Sequence, residues 1–179
     1  MNLRHLLPLI GLFFSINTVF SQDNLNRKRF ANVEVRFAFP SKNVKGTFTQ
    51  FSFPDTVHLD SLQPQEWKAS IQVESIETGN AIRDWHLMSK KYFNRKVYTT
   101  MEFQAESLLE TSKGYQVKGN IRIKGIQKPL ELRIEKNPSD GYYTATGELF
   151  SSDFGIWIKK KKEENKVTFR IRFGLKETS

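Results

Sequence analysis

Apolar and polar residues alternate with a period of two along most of this chain, and few architectures accept such a pattern. Val33, Val35, Phe37 and Phe39 are separated by Glu34, Arg36 and Ala38. Tyr115, Val117, Gly119, Ile121 and Ile123 are separated by Gln116, Lys118, Asn120, Arg122 and Lys124. The same holds for Leu130, Leu132 and Ile134, and again for Val167, Phe169, Ile171, Phe173 and Leu175. Less regular runs lie at 45–53, 67–76, 97–109, 142–150 and 154–160, and they too are expected as strands. Successive side chains on a strand point to opposite faces, so each run has one apolar and one charged face. Strands of that kind suit an antiparallel sheet with one side wet.

Turn-forming clusters punctuate the runs: Pro40-Ser41-Lys42-Asn43, Lys113-Gly114, residues 125–128, Pro138-Ser139-Asp140-Gly141 and residues 161–165. The spacing is hairpin after hairpin, without the long crossovers that parallel pairing requires. A sheet of about eight such strands must cover its apolar face, either by folding over as a sandwich or by closing as a barrel. Closure removes both edges, and several runs are long, about ten residues, as in small barrels; a barrel is the expected form. Between residues 81 and 93 the period changes. Ile82, Trp85, Ser89, Tyr92 and Phe93 fall on one helical stripe, with Asn80 as its N-cap.

The first 21 residues have the anatomy of a secretory signal peptide. A basic start at Arg4 and His5 precedes an apolar run from Leu6 to Phe14, and Ser21 offers a small residue before Gln22. The run is too short for a bilayer core, which needs about 20 residues. The expected organisation is therefore a leader at 1–21 and a single domain at 22–179, exported to the periplasm or secreted. The chain has no cysteine, so burial alone must hold the fold, and neither a disulfide nor a thiolate metal site can form. Of the fifteen phenylalanines only Phe13, Phe14 and Phe20 fall in the leader, which leaves ample aromatic area for an interior. The formal charge is +9, one unit less once Arg4 leaves. Export makes nucleic acid an unsuitable partner. The charge serves either plain solubility or contact with an anionic membrane surface. The basic run at 159–162, followed by Glu163 and Glu164, reads as a solvated hairpin tip.

Several segments, in order, resemble the YceI family of periplasmic polyisoprenoid-binding proteins. They are Val44-Lys45-Gly46-Thr47-Phe48, then Ser75-Ile76-Glu77-Thr78-Gly79-Asn80 with Arg83-Asp84 and His86-Leu87, then Tyr92-Phe93. Val117, Gly119, Ile121, Gly125 and Lys128-Pro129-Leu130 follow, and Asp153-Phe154-Gly155-Ile156 with the alternation from Val167 completes the set. The resemblance covers nearly all of the chain after the leader. It implies an eight-stranded antiparallel barrel of lipocalin-like shape, a short helix near one end, and a long isoprenoid or similar amphiphile inside. The chain departs from the family where Phe30 and Phe39 stand in place of first-strand histidines, where Thr99 replaces a proline, and where Phe53-Pro54 replaces a glycine. The added rings make the interior more apolar.

The inward-facing set is Phe37, Phe48, Ile71, Val73, Met101, Phe103, Val117, Ile121, Leu132, Phe154, Ile156, Phe169 and Ile171. These line a ligand cavity or pack a solid core, since eight-stranded barrels do both; the resemblance favours the cavity. An apolar tunnel would hold an isoprenoid, quinone or fatty chain with about 0.8 kcal/mol per buried CH₂. Asn80, Arg83, Asp84 and His86 either hold the helix against the strand ends or orient a ligand head group, Asn80, Arg83 and His86 then being the donors. Asp84 and His86 are also the obvious acid–base neighbours, so a lipid-modifying enzyme is a competing reading. A solid interaction or envelope-stress barrel is another. The chain has neither a Gly-x-Ser-x-Gly elbow nor a His-Glu-x-x-His pair, and the sequence calls for no catalytic residue, no metal and no cofactor.

Overall fold

Alternation is realised as antiparallel strands whose apolar faces all turn to one enclosed space. The computed structural model describes residues 27–58 and 67–177; the expected leader lies outside them. Among the described residues the strands are β1 Arg27–Phe39, β2 Val44–Phe48, β3 Phe51–Ser52, β4 Val57–His58, β5 Lys68–Gln72 and β6 Ile76–Glu77. After a helix, α1 Ala81–Leu87, come β7 Thr100–Thr111, β8 Gly114–Ile123, β9 Ile126–Lys136, β10 Tyr143–Phe150 and β11 Lys166–Glu177.

The order of pairing is β3-β5-β7-β8-β9-β10-β11-β1-β2-β6. Both ends of that order belong to one strand pair. β2 and β3 are a single run interrupted at Thr49 and Gln50, and β5 and β6 a single run interrupted by a 3-10 turn at Val73–Ser75. β2 pairs with β6 and β3 with β5. Between them Thr49 N donates to Ser75 O at 3.1 Å and Gln72 N to Gln50 O at 2.9 Å. Each broken run counts once, and the two-residue β4 sits beside the start of β1. Eight antiparallel strands then close into a ring. The outer face carries Arg36, Lys118, Arg133 and Arg170, which is the reverse of a membrane-spanning barrel, whose outer band is apolar.

Two β-bulges adjust which residues face inward. Between Ala31 and Glu34 β1 gains one residue on β11, and Asn32 there takes a left-handed backbone at φ 51°. An extra residue reverses the inside–outside parity, so Phe30 faces inward before the bulge and Val35 after it. A second bulge, between Ala105 and Ser107 of β7, does the same for Ala105 and Leu108.

Two glycines keep large rings against the wall. Gly46 stands opposite Phe37 and Gly147 opposite Phe169. A Cβ built on Gly46 would lie 2.5 Å from Cζ of Phe37, and one on Gly147 2.5 Å from Cζ of Phe169. Each ring therefore lies flat over the bare backbone of its neighbour and does not cross the interior. The buried side chains form two clusters. One, with Val35, Phe48, Val73, Ile76, Met101, Ile123, Phe154 and Ile156, is at the helix end. The other, with Ala105, Val117, Leu130, Leu132, Ile134, Ala145 and Phe173, is toward the opposite end.

Three expectations are corrected. The run at 154–160 is not a strand. Ser151–Phe154 form a 3-10 turn that ends at Gly155 with φ 68°, and the chain then loops to β11. That loop is organised by the side chain of Asn165, wholly buried, in place of a strand ladder. Its Oδ1 accepts from the N–H of Ile158 and of Lys159, both at 2.9 Å, and its Nδ2 donates to the carbonyls of Lys159 at 2.9 Å and Lys161 at 2.7 Å. The basic run at 159–162 belongs to this loop, and Lys162 already opens a second 3-10 turn. The helix spans seven residues and stops at Leu87 instead of continuing to Phe93. Turns tightened by Ser89 N to His86 O at 3.0 Å, and a left-handed Asn94, replace its second half. The expected stripe is also rotated. Ile82 and Trp85 are 74% exposed, whereas Leu87, Met88, Tyr92 and Phe93 pack on the helix-end core. The tethers of Arg83 and Asp84, described next, set that rotation.

Candidate ligand-binding site

The inward faces leave a lumen. A cavity of about 690 Å³ runs between the two core clusters and is bordered by residues from every strand of the ring. It falls within the roughly 300–1,000 Å³ usual for small-molecule sites. Its wall is almost wholly apolar, and it reaches the surface at the helix end among Lys42, Asn80, Ile82 and His86.

Twelve of the thirteen wall residues expected from the sequence border this cavity; Val73 does not. Val73 starts the 3-10 turn that interrupts the β5–β6 run. Its N–H is drawn to Thr99 O at 2.9 Å, which places its side chain, 1% exposed, in the core behind the wall. The cavity also touches residues outside the expected set. Val35, Phe39, Val167 and Phe173 are on the same alternation as their expected neighbours and could have been included on parity alone. Phe30 required knowledge of the bulge. Trp67 is on the same alternation as Ile71 and could likewise have been included; its indole N–H is buried on this wall without a hydrogen-bond partner among the described residues.

The polar cluster at the mouth is interlocked. Asn80 caps α1, its Oδ1 accepting from Arg83 N at 2.9 Å. Arg83 reaches back to Thr78, donating from Nε to Oγ1 at 2.7 Å and from Nη2 to the carbonyl at 2.7 Å. Asp84 accepts from the N–H of Thr78 at 3.2 Å on both oxygens, and from its hydroxyl. Thr78 is itself 9% exposed. Both side chains are thus committed to fixing α1 against the end of β6, and Asp84 does not border the cavity. No hydrogen bond joins Asp84 to His86 among the described residues, and His86 instead sets its ring 5.6 Å from that of Trp85 while facing the mouth. The structure therefore brings Asn80, Arg83 and His86 to the cavity and leaves Asp84 outside it.

Lys124, at the β8–β9 hairpin, ties the surrounding loops together. It follows Ile123 in a two-residue turn whose residues, Lys124 and Gly125, take φ 50° and 77°. Its Nζ donates to the carbonyls of Lys91 at 3.2 Å and Gly155 at 3.3 Å. Desolvation by burial lowers its pKa from the ordinary lysine value.

Comparison with known proteins gives the fold a family. A UPF0312 protein of Photorhabdus laumondii is 34% identical over 121 residues, 62% of either chain. This chain thus spans a little under two thirds of that curated relative. Among solved structures, BcnA of Burkholderia cenocepacia superposes with a TM-score of 0.59 at 17% identity, covering 79% of this chain and 94% of its own. A polyisoprenoid-binding domain from Saccharophagus degradans, described as implicated in plant cell wall breakdown, superposes with a TM-score of 0.56 at 9% identity, covering 85% of this chain and 98% of its own. At such identities the superpositions speak for the fold alone. The pattern of the YceI-like domain matches residues 25–175, which is most of the chain and all but the last strand's end, and the protein belongs to that family.

Proposed function

We propose that this protein is an exported carrier that encloses the hydrocarbon tail of one amphiphilic lipid, an isoprenoid, quinone or fatty chain, inside its barrel. One observation carries the reading. An apolar cavity of about 690 Å³ reaches the surface at the helix end beside the polar and cationic side chains of Lys42, Asn80, Arg83 and His86. Burial in such a space contributes about 0.8 kcal/mol per CH₂, so capture needs no specific contact along the tail. The head group would remain at the mouth, within reach of His86 and Lys42. Arg83 already spends two of its donors on Thr78. The solved polyisoprenoid-binding domain with a similar fold supports the ligand class.

The geometry lends no support to the enzymatic reading. Asp84 is engaged by Thr78 and faces away from the cavity. A general base must lie within hydrogen-bond reach of the proton that it takes.

Mass spectrometry of an organic extract of the purified chain tests the carrier reading. A lipid in equimolar amount is expected, displaceable by a fluorescent fatty-acid analogue. Empty extracts from several preparations, together with no uptake of the analogue, would exclude it. His86→Ala should weaken uptake of anionic analogues while leaving the melting temperature unchanged.

A further inference from the structure

Among the described residues six large hydrophobic side chains remain exposed: Ile82 and Trp85 at 74%, Val97 at 65%, Leu109 at 61%, Trp157 at 50% and Ile126 at 39%. They are not scattered. Ile82 and Trp85 are on α1, Val97 is in the turns after it, Ile126 is on the β8–β9 hairpin, and Trp157 is in the loop before β11. These segments meet at the mouth. Lys124 bonds both the carbonyl of Lys91 and that of Gly155, the ring of Tyr98 sits against Gly125, and Ser41 Oγ donates to Glu164 O at 2.6 Å. Only Leu109 stands at the far end, on the β7–β8 hairpin.

The same end is basic. Lys42, Lys90, Lys96, Lys160 and Lys161 form no ion pair among the described residues, whereas Lys159 and Lys162 pair with Glu164 and Asp153. Isolated exposed apolar residues need no explanation, but two tryptophans amid unpaired lysines at the opening of an apolar cavity do. Tryptophan favours the level of lipid head groups, and lysine is attracted by anionic lipid. The patch is continuous with the lumen, because Ile82 borders the cavity while three quarters of it faces solvent.

We infer that the helix end of the barrel docks on the surface of an anionic bilayer, with Ile82, Trp85 and Trp157 entering the head-group layer and the lysines meeting the lipid charge. The mouth then opens directly onto the membrane, so a tail passes between bilayer and lumen without crossing water. This inference rests on the carrier reading for its purpose but not for its geometry. No helix among the described residues is long and apolar enough to cross a membrane, and the charged outer wall, with Arg36, Lys118, Arg133 and Arg170, keeps the ring out of the hydrocarbon.

Sedimentation with vesicles tests it, using the chain from Gln22 onward, which carries every strand of the ring. Vesicles of equal parts phosphatidylcholine and phosphatidylglycerol should bind the protein, and added salt should release it; vesicles of phosphatidylcholine alone should bind it far less. Trp85→Ser with Trp157→Ser should weaken binding at least about tenfold, as should Lys160→Glu with Lys161→Glu. Leu109→Ser, at the opposite end, should bind as the parent does. All of these positions are exposed, so melting curves should be unchanged. Equal binding to both vesicle types, no binding to either, an undiminished tryptophan pair, or an equal loss in Leu109→Ser would overturn the inference. Lipid extraction separates the two readings. A tryptophan variant that keeps its lipid but leaves the vesicles upholds docking and carriage, whereas docking by a protein whose extracts are always empty sinks carriage alone.

Discussion

Asn165 offers a direct test of how the mouth is held. A primary amide has two donors and two acceptor lone pairs, and here all four are used, at 2.7 to 2.9 Å, on backbone groups between Ile158 and Lys161. Asn165 is also fully buried, so water cannot replace the amide without entering the core. With about 1 kcal/mol net for each of the four bonds, Asn165→Ala should cost about 4 kcal/mol, a fall in melting temperature of about 8–16 °C for a chain of this size. Asn165→Asp separates shape from hydrogen bonding. It preserves the outline and the oxygen that accepts twice, but replaces the NH₂ that donates twice with a single carboxylate oxygen facing the carbonyls of Lys159 and Lys161. It should destabilise at least as much as alanine. Thermal unfolding followed by circular dichroism measures both. A shift below about 2 °C for alanine, or an aspartate variant that melts like the parent, would refute the argument that this amide replaces a strand ladder.

Three further outcomes are expected. Gly147→Val would place a side chain where the Phe169 ring lies, 2.5 Å from its Cζ and 3.1 Å from Cδ2 of Leu132; the ring must swing into the lumen, so uptake of a fluorescent fatty acid should fall sharply while the barrel still folds, at a cost of about 1–3 kcal/mol. Phe169→Asp should lower the melting temperature strongly by setting a charge on the apolar wall, whereas Arg170→Asp, opposite Arg36 on the outer face, should be neutral or slightly stabilising; similar curves for the two would show the parity to be wrong. The backbone N–H of Tyr142, with help from Arg172, holds the Asp140 carboxyl below its ordinary value of 3.8, so its contribution is present above that pH and is lost as pH falls through the lower folded value; the gap in melting temperature between parent and Asp140→Asn should close on acidification in that range, and a constant gap would refute the assignment.

What the sequence revealed divides along physical lines. Period-two alternation is a local property, and it located the long strands β7 to β11 and most of the lumen wall, because parity alone decides which side chains point inward. Parity is lost where one residue is inserted, and nothing in Ala31-Asn32-Val33 announces a bulge except an asparagine that tolerates a left-handed backbone. Alternation alone therefore left Phe30 out of the inward set, although the family resemblance marks it as an added interior ring. The run Phe154-Gly155-Ile156-Trp157-Ile158 has the composition of a strand, but a single buried side chain seven residues beyond Ile158 claims its backbone. Such long-range capture leaves no periodic trace. The helix and its Asn80 cap were legible, but its length and rotation were not, because the rotation is set by Arg83 and Asp84 gripping Thr78. The polar cluster was visible as composition, whereas the division of labour within it, with Asp84 turned to structure and His86 toward the mouth, exists only in three dimensions.

The interrupted joint between β2–β3 and β5–β6 has a mechanical consequence. At this seam β2 and β6, and β3 and β5, are each paired over only two residues, whereas β7–β8, β8–β9, β10–β11 and β1–β11 are stitched by ladders of eight or more. Closed walls part where the fewest bonds must break together, so amide hydrogens of Thr49 and Gln72 should exchange with deuterium ahead of those in β7 and β8. A seam that unzips before its neighbours lets the vessel swell around a bulky guest while its other staves stay in register.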